Sequence, residues 1–339
     1  MSAVNLKELA KILNLSISTV SKALRDSHEI GASTKERVLA KAKELDYIPN
    51  PFASGLRRNK SKTVAVVVPE IANNYFALAI NGIENIAQEK DYHVLIYLTH
   101  EEFEKEKSIM KHLENKRVDG ILMSVTMNTN KFDHLIEFQQ KGIPIVLFDR
   151  ICHEIETAKI TTDDYISSMN ATKHLIDNGC KDIAYLSLGE DMSIVQKRKN
   201  GFLEELQKNN LKENPNRIIR CSNDDKENYK LIIELLMSEN RPDAIFASVE
   251  KLAITTYEVC NDLKLNIPND VKIICFSNLA TAALLNPSLS TITQPAYEIG
   301  KKAAEVLFKY LDKNKTYIPN ENIVLQSTLN IRQSSIKSR

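Results

Sequence analysis

The sequence lacks a hydrophobic run long enough to cross a membrane. Its longest apolar stretches, such as "VAVVVP" at 64–69, are as long as a β-strand, whereas a membrane-spanning helix needs about 20 apolar residues. The first residues, "MSAVNLKELAKIL", contain lysines and an acid where a secretion signal requires an apolar run. We therefore expect a cytoplasmic protein that has no membrane partner.

Cysteine is scarce, and its spacing excludes the common metal-binding patterns. The five cysteines are widely separated along the chain, at Cys152, Cys180, Cys221, Cys260 and Cys275. An odd number of thiols without metal-ligand spacing is typical of reduced structural cysteines. The sequence also lacks a phosphate-binding loop, a nucleophile elbow and a His/Glu metal pair. We expect no metal, no cofactor and no enzymatic activity.

The near-neutral total charge hides an uneven distribution. Residues 1–62 carry twelve Lys and Arg and six Asp and Glu, a net charge of +6, whereas the remainder has a net charge of −5. A basic segment is the electrostatic signature of nucleic-acid binding, although a solvated helical face with surplus lysines could also produce it.

The pattern of the same segment favours DNA binding. "NLKELAKIL" begins with Asn5 and has Glu8 three residues later, as in a capping box. Asn14 then suits a left-handed turn, and Ser16 can cap a second helix that buries Val20. Ser33 and Glu36 predict a similar cap on a third helix. The exposed side of the second helix is rich in hydroxyls, which can bond phosphates and base edges.

From Thr63 onward, strand-like and helix-like segments alternate. "TVAVVVPE" is a continuous apolar strand, as in a parallel sheet covered on both faces, and similar strands recur after each helix. Doubly wound parallel sheets are the expected architecture, and the series is long enough for two lobes that divide near Asp163. Ligands of such folds bind beyond the carboxyl ends of the strands.

The chain resembles the LacI (lac repressor-like) family of transcription regulators over nearly its full length. "LKELAKILNLSISTVSKAL" is similar to the family's headpiece, and "RVLAKAKELDYIPNPFASGLRR" to its third helix and hinge. "TVAVVVPEIANNYFALAINGIE", "KRVDGILM" and "GIPIVLFDR" resemble the first lobe of its sensor core. "HLIDNGCKDIAYL" and "RKNGF" resemble the second lobe, and "NPSLSTITQPAYEIGKKAAEVL" the return to the first.

This resemblance implies an all-α helix-turn-helix headpiece followed by an α/β core of two lobes, like the periplasmic sugar-binding proteins. The headpiece spans 1–49, the hinge helix and linker 50–62, and the effector-binding core 63–335. Lobe one is expected at about 63–161 and 292–319, and lobe two at about 162–291 and 320–335. Two cores pair into a homodimer, which presents two headpieces to a pseudo-palindromic operator in double-stranded DNA.

The resemblance also assigns the contacts with DNA. The expected residues lie on the recognition helix, at phosphate-contacting positions and in the hinge: Ile17, Ser18, Ser21 and Lys22; Asn5, Ser16, Thr19 and Thr34; and Asn50, Ala53, Leu56 and Arg57. Helix capping is an alternative role for Ser16 and Thr19. In the hinge, Ala53 and Leu56 match a wedge that opens the minor groove, and helix packing is the alternative for Leu56.

The effector site is expected between the lobes, at Tyr75, Phe76, Asp149, Arg150, Arg198 and Ser277. Several of these residues also have an alternative role. Asp149 could cap a turn, Arg198 could be a cation on the surface of its lobe, and the two aromatic residues could pack in the core. Val249 and Ser277 replace an amide and an acid that are common in sugar-binding members. Because guanidinium groups pair with carboxylate or phosphate, we hypothesise an acidic carbohydrate as the effector. Pairing of Arg150 with a nearby acid is the alternative, and it would weaken this case.

These features predict a dimeric, effector-controlled repressor of carbohydrate-related genes. The alternative from another class is a stand-alone carbohydrate-binding or carbohydrate-metabolising protein without a DNA function.

We predict that Leu56→Ala weakens binding to the operator, because a wedge between base steps is needed to bend the duplex. Fluorescence anisotropy with a labelled operator duplex measures the affinity, and circular dichroism and gel filtration check that the core remains folded and dimeric. Unchanged operator affinity would show that Leu56 is not a wedge.

Overall fold

The computed structural model describes residues 4–47, 60–72, 74–114, 117–127, 129, 131–189 and 192–336. The chain forms two compact units, residues 1–61 and residues 62–339. No helix in the described ranges is long and apolar enough to span a membrane.

The described residues of the first unit form three helices: α1 (Leu6–Leu13), α2 (Ile17–Ala23) and α3 (Ala32–Glu44). Their inward faces form a small core of buried residues, namely Leu9, Ala10, Val20, Ala23, Val38 and Ala42. Because this core is small, the local signals that begin and end each helix contribute much to the geometry of the unit.

Most of these local signals have the predicted form. Asn5 and Glu8 form a reciprocal capping box at α1, and Asn14 has a φ of 54° in the left-handed region. Ser16 Oγ accepts a hydrogen bond from Thr19 N at 3.0 Å. The predicted cap at Ser33 is wrong: α3 begins at Ala32 after Gly31, which makes no side-chain cap, so Ser33 already lies inside the helix.

The second unit alternates strands and helices. Its strands are β1 (Thr63–Val68), β2 (His93–Leu98), β3 (Gly120–Met123), β4 (Ile145–Phe148), β5 (Ala158–Thr162), β6 (Ile183–Leu188), β7 (Ile218–Cys221), β8 (Ala244–Ala247), β9 (Lys272–Phe276), β10 (Ser290–Thr293), β11 (Glu321–Leu325) and β12 (Thr328–Asn330). Its helices are α4 (Asn74–Glu89), α5 (Phe103–Leu113), α6 (Asp133–Gln140), α7 (Asp164–Asp177), α8 (Ser193–Lys208), α9 (Asp225–Met237), α10 (Glu250–Asp262) and α11 (Ala296–Leu311).

The strands form two six-stranded sheets, one in each lobe. The order is β11-β5-β4-β3-β1-β2 in the first sheet and β12-β10-β9-β8-β6-β7 in the second. All pairs are parallel except β10 with β12. Every residue of β1 is buried, as its apolar run predicts for a sheet covered on both faces.

The predicted boundaries between the lobes need correction after α11. Residues 320–335 were expected in lobe two, but β11 pairs in parallel with β5 and therefore belongs to lobe one. Only β12 and the residues after it return to lobe two, where β12 pairs with β10. Similarly, β10 extends lobe two to Thr293, and Thr162 is still part of β5.

Helices α4 and α11 cross in lobe one at two glycines. A Cβ on Gly300 would lie 1.9 Å from the carbonyl oxygen of Ala79, and one on Gly82 would lie 2.1 Å from that of Tyr297. Both distances are shorter than any non-bonded contact, and the opposing atoms belong to backbone. The close approach of these helices therefore requires glycine at both positions.

We predict that Gly300→Ala lowers the free energy of unfolding by about 1–3 kcal/mol, the usual cost of overpacking, because the two backbones must move apart. Urea denaturation followed by circular dichroism measures the change. Glu298→Ala alters the exposed side of the same helix and should cost much less. Equal costs for the two variants would contradict the close-approach argument.

Candidate functional site

The predicted recognition residues share the solvent side of α2. Ile17 and Ser18 are exposed and Ser21 and Lys22 are partly exposed, whereas Val20 on the opposite side is buried. This separation follows from the helical repeat, since the buried side packs against α1 and α3.

The positions expected to contact phosphate lie near the ends of the helices. Asn5 and Ser16 are exposed, and Thr19 and Thr34 are partly exposed. Asn5 Oδ1 accepts from Glu8 N at 3.0 Å, and Ser16 Oγ lies 2.8 Å from Thr19 Oγ1. Capping is therefore present in the structure, and the donor groups of these side chains are oriented by it. Asn50, Ala53, Leu56 and Arg57 lie outside the described residues.

A cleft between the two lobes is lined by all six side chains expected at the effector site. Tyr75 and Phe76 come from the start of α4, and Asp149 and Arg150 follow β4. The remaining lining residues from the prediction belong to lobe two, with Arg198 on α8 and Ser277 directly after β9. The cleft thus lies at the carboxyl ends of strands from both sheets, where doubly wound folds bind ligands.

Asp149 has an unusual backbone and an unusual environment. Its φ of 61° is in the left-handed region, where Asp is one of the few tolerated residues other than glycine. Burial raises the pKa of its carboxyl to about 6, although the nearby charges of Arg150 and Arg198 act in the opposite direction. Burial also raises the pKa of the Tyr75 hydroxyl well above its usual value.

Arg198 is buried and bonded to two other residues of the protein. Its Nε donates to Asp164 Oδ1 at 2.7 Å, and its Nη1 donates to the carbonyl oxygen of Ser248 at 2.7 Å. The guanidinium carbon lies 3.8 Å from the centre of the Phe276 ring, a distance suited to a cation–π contact. The surface-cation alternative is therefore wrong.

Arg150 is also paired with an acid. Its Nη1 donates to Glu101 Oε1 at 2.6 Å, and its Nε lies 3.9 Å from Asp149 Oδ2. The other oxygen of Glu101 accepts from Met127 N at 2.8 Å, so that the carboxylate joins Arg150 to another part of the cleft wall.

Sequence reasoning missed several polar groups of the cleft. Glu250 Oε2 accepts from Ser277 Oγ at 2.6 Å, so a carboxylate does lie beside the serine that replaces the expected acid. Asn278 and Gln294 also line the cleft, and Asn278 Oδ1 is buried without a hydrogen-bond partner among the described residues. All three residues follow strands at their carboxyl ends, and that position alone could have identified them.

The open space in the cleft is small. Its volume is about 70 Å³, whereas sites for small molecules usually measure about 300–1,000 Å³. Binding a ligand as large as a sugar therefore requires the two lobes to separate or the arginine side chains to move.

The five cysteines take no part in this cleft. All are buried and free, as predicted for structural thiols. Burial raises the pKa of Cys152 to about 11 and that of Cys180 to about 12, so their thiols are unreactive at neutral pH.

Two family models match the chain, one for each unit. Residues 5–50 match the bacterial regulatory proteins of the lacI family, and residues 61–331 match the periplasmic binding proteins and sugar-binding domain of the LacI family. The chain belongs to the LacI family. It is therefore a DNA-binding transcriptional regulator and not an enzyme. The stand-alone carbohydrate protein is excluded, because the regulatory DNA-binding domain is present.

Known proteins of similar length support this assignment. The chain is 29% identical to catabolite control protein A of Priestia megaterium, with 98% of this chain and 99% of that protein covered. It is 30% identical to the ribose operon repressor of Haemophilus influenzae, with 97% and 98% covered. The lac repressor dimer bound to operator and the anti-inducer ONPF has the same fold, with a TM-score of 0.84 at 19% identity over 99% of this chain and 100% of that one.

We predict that Asp149→Asn removes a pH-dependent loss of stability. The unfolded carboxyl ionises near pH 3.8, whereas the folded one keeps its proton up to about pH 6, so the wild type loses unfolding free energy as the pH rises through this window. Relative to the wild type, the variant should gain about 3 kcal/mol between pH 3.5 and pH 7. Urea denaturation at several pH values measures the difference.

Asp312→Asn serves as the control for this experiment, because it removes an acid that is exposed in its pair with Lys90. Its difference from the wild type should change little over the same pH range. If the difference in unfolding free energy between Asp149→Asn and the wild type also stayed constant over this pH range, burial would not hold the carboxyl of Asp149 in its neutral form.

Proposed function

We propose that this regulator is a cytoplasmic, dimeric repressor of carbohydrate-related genes whose effector is an uncharged sugar bound in the inter-lobe cleft. The observation that carries the proposal is the cleft itself, in which carboxylates and amides surround two arginines that are already paired. The ribose operon repressor, a relative at 30% identity, supports the connection with carbohydrate genes.

The DNA contacts in this proposal follow the exposed side of the headpiece. Ile17, Ser18, Ser21 and Lys22 read base edges from α2, and Asn5, Ser16, Thr19 and Thr34 position the headpiece on phosphates. In the hinge, Ala53 and Leu56 enter the minor groove, and Asn50 and Arg57 are further DNA contacts. Each headpiece binds one half of a pseudo-palindromic operator.

Apolar residues on the surface of the core support the dimer. Strand β2 is an edge of the first sheet, and its Leu95 and Ile96 are about two-fifths exposed. Leu284 of lobe two is 81% exposed. Open edges with apolar side chains are usually covered, and a second copy of the chain is the cover that we propose. A dimer is also the form in which the lac repressor structure binds its operator.

The pairing of both arginines with acids weakens the case for an acidic effector. That hypothesis required arginines available to an anion, but Arg150 is bonded to Glu101 and Arg198 to Asp164. Asp149 and Glu250 line the cleft, and together with Glu101 and Asp164, which pair with the arginines from beside it, they make four carboxylates against two guanidinium groups. An anionic ligand is repelled by this surplus, whereas the hydroxyls of a neutral sugar can donate to carboxylate and amide oxygens.

We predict that a neutral sugar, and not its acidic counterpart, stabilises the protein. Thermal unfolding is measured with matched pairs such as glucose and glucuronate, or ribose and ribose phosphate. A ligand that binds only the folded cleft raises the stability by about 2.7 kcal/mol at a hundredfold excess over its Kd. Binding should also change the affinity for an operator duplex.

Glu250→Gln tests whether the cleft holds the sugar, because Glu250 lines it. The variant should bind the sugar more weakly. Glu258→Gln makes the same change of charge on the exposed side of the same helix, α10, and should leave sugar binding unchanged. Stabilisation by the acidic sugar alone, lost in Arg198→Ala, would overturn this proposal and restore the acidic effector.

A further inference from the structure

An acid from the turn after α2 lies close to the basic residue on the exposed side of this helix. Lys22 Nζ forms an ion pair with a carboxylate oxygen of Glu29. Nearby, Arg25 donates to the carbonyl oxygen of Ser21 at 2.9 Å and to Ser21 Oγ at 3.0 Å. The bonds of Arg25 keep a positive charge at the end of α2, but Glu29 places a negative charge where phosphates would approach.

Glu29 is held beside α2 by the turn that leads to α3. Its backbone N–H donates to Ser27 Oγ at 3.4 Å, and the next N–H, of Ile30, donates to the carbonyl oxygen of Ser27 at 3.2 Å. The Ile30 side chain packs against the headpiece core. The ion pair itself remains accessible, since the side chains of Lys22 and Glu29 are 38% and 53% exposed.

We propose that Glu29 is a specificity-determining residue that acts through Lys22, an inference that rests on the DNA-reading role proposed for Lys22. On DNA of arbitrary sequence, Lys22 gains only a phosphate contact when it leaves Glu29, and the carboxylate is left unpaired near the duplex. On the operator, the same ammonium can bind O6 and N7 of a guanine, and this contact contributes more binding free energy than a phosphate contact. Lys22 therefore leaves Glu29 more readily on the operator than on arbitrary DNA, and the cost of separating the ion pair lowers operator binding more than binding to arbitrary DNA.

Asp26 provides a matched control within the same unit. It forms an ion pair with Lys35 at 2.6 Å, and Lys35 belongs to α3 and not to the recognition helix. Asp26 has a φ of 54°, a conformation that asparagine also tolerates well. Asp26→Asn therefore changes the net charge of the headpiece as much as Glu29→Gln does, without releasing Lys22.

The experiment begins with a pool of random-sequence duplexes, from which the wild-type protein selects a preferred duplex. Fluorescence anisotropy then gives the Kd for this duplex and for a base-shuffled duplex of the same length, at one salt concentration. Glu29→Gln should tighten binding to the selected duplex by up to about fivefold per headpiece, the range for an exposed ion pair, and binding to the shuffled duplex by less. Asp26→Asn should tighten both to the same degree.

A double variant tests whether the effect passes through Lys22. In the background of Lys22→Met, adding Glu29→Gln should leave the ratio of the two Kd values unchanged. A change of the ratio in that background, or identical behaviour of Glu29→Gln and Asp26→Asn, would overturn the proposal. Failure of the wild type to select any duplex would instead contradict the proposed function, and the role of Glu29 with it.

Discussion

The buried ion pair between Arg198 and Asp164 is the interaction on which the arrangement of the cleft depends. Asp164 is the first residue of α7, at the point where the chain first crosses from lobe one to lobe two, and Arg198 is 6% exposed at the cleft. Removing one partner of such a pair leaves an uncompensated charge and costs about 3–5 kcal/mol. The pair therefore fixes Arg198, on α8 in the wall of the cleft, to the start of α7, where the chain enters lobe two.

The other two segments that connect the lobes are hydrogen-bonded to residues 162–164, around the first connection. Thr162 Oγ1 donates to Asp164 Oδ2 at 3.0 Å and accepts from Gln294 Nε2 at 3.2 Å. Asp163 Oδ1 accepts from Ser327 N at 2.8 Å, which ties in the last crossover. The Arg198–Asp164 pair therefore lies in a network of bonds that reaches two of the connections through Thr162, and the third is bonded to the neighbouring Asp163.

The features predicted correctly from the sequence are those encoded by neighbouring residues. The capping box at Asn5, the left-handed Asn14 and the buried run of β1 each depend on short segments, so the sequence reveals them directly. The cap at Ser33 was predicted wrongly because Gly31 can begin a helix without a side-chain bond, which no pattern of hydroxyls and acids reports.

The assignment of β11 and the state of the arginines depend instead on distant partners. Nothing in "ENIVL" distinguishes pairing with β5 from pairing within the second sheet. Likewise, Glu101 and Arg150 are far apart in the sequence, and only the fold brings them within 2.6 Å. The positions of the cleft residues could thus be expected from strand ends, whereas their charge balance could not. The proposal of an uncharged effector therefore rests on contacts of the tertiary structure and not on a sequence motif.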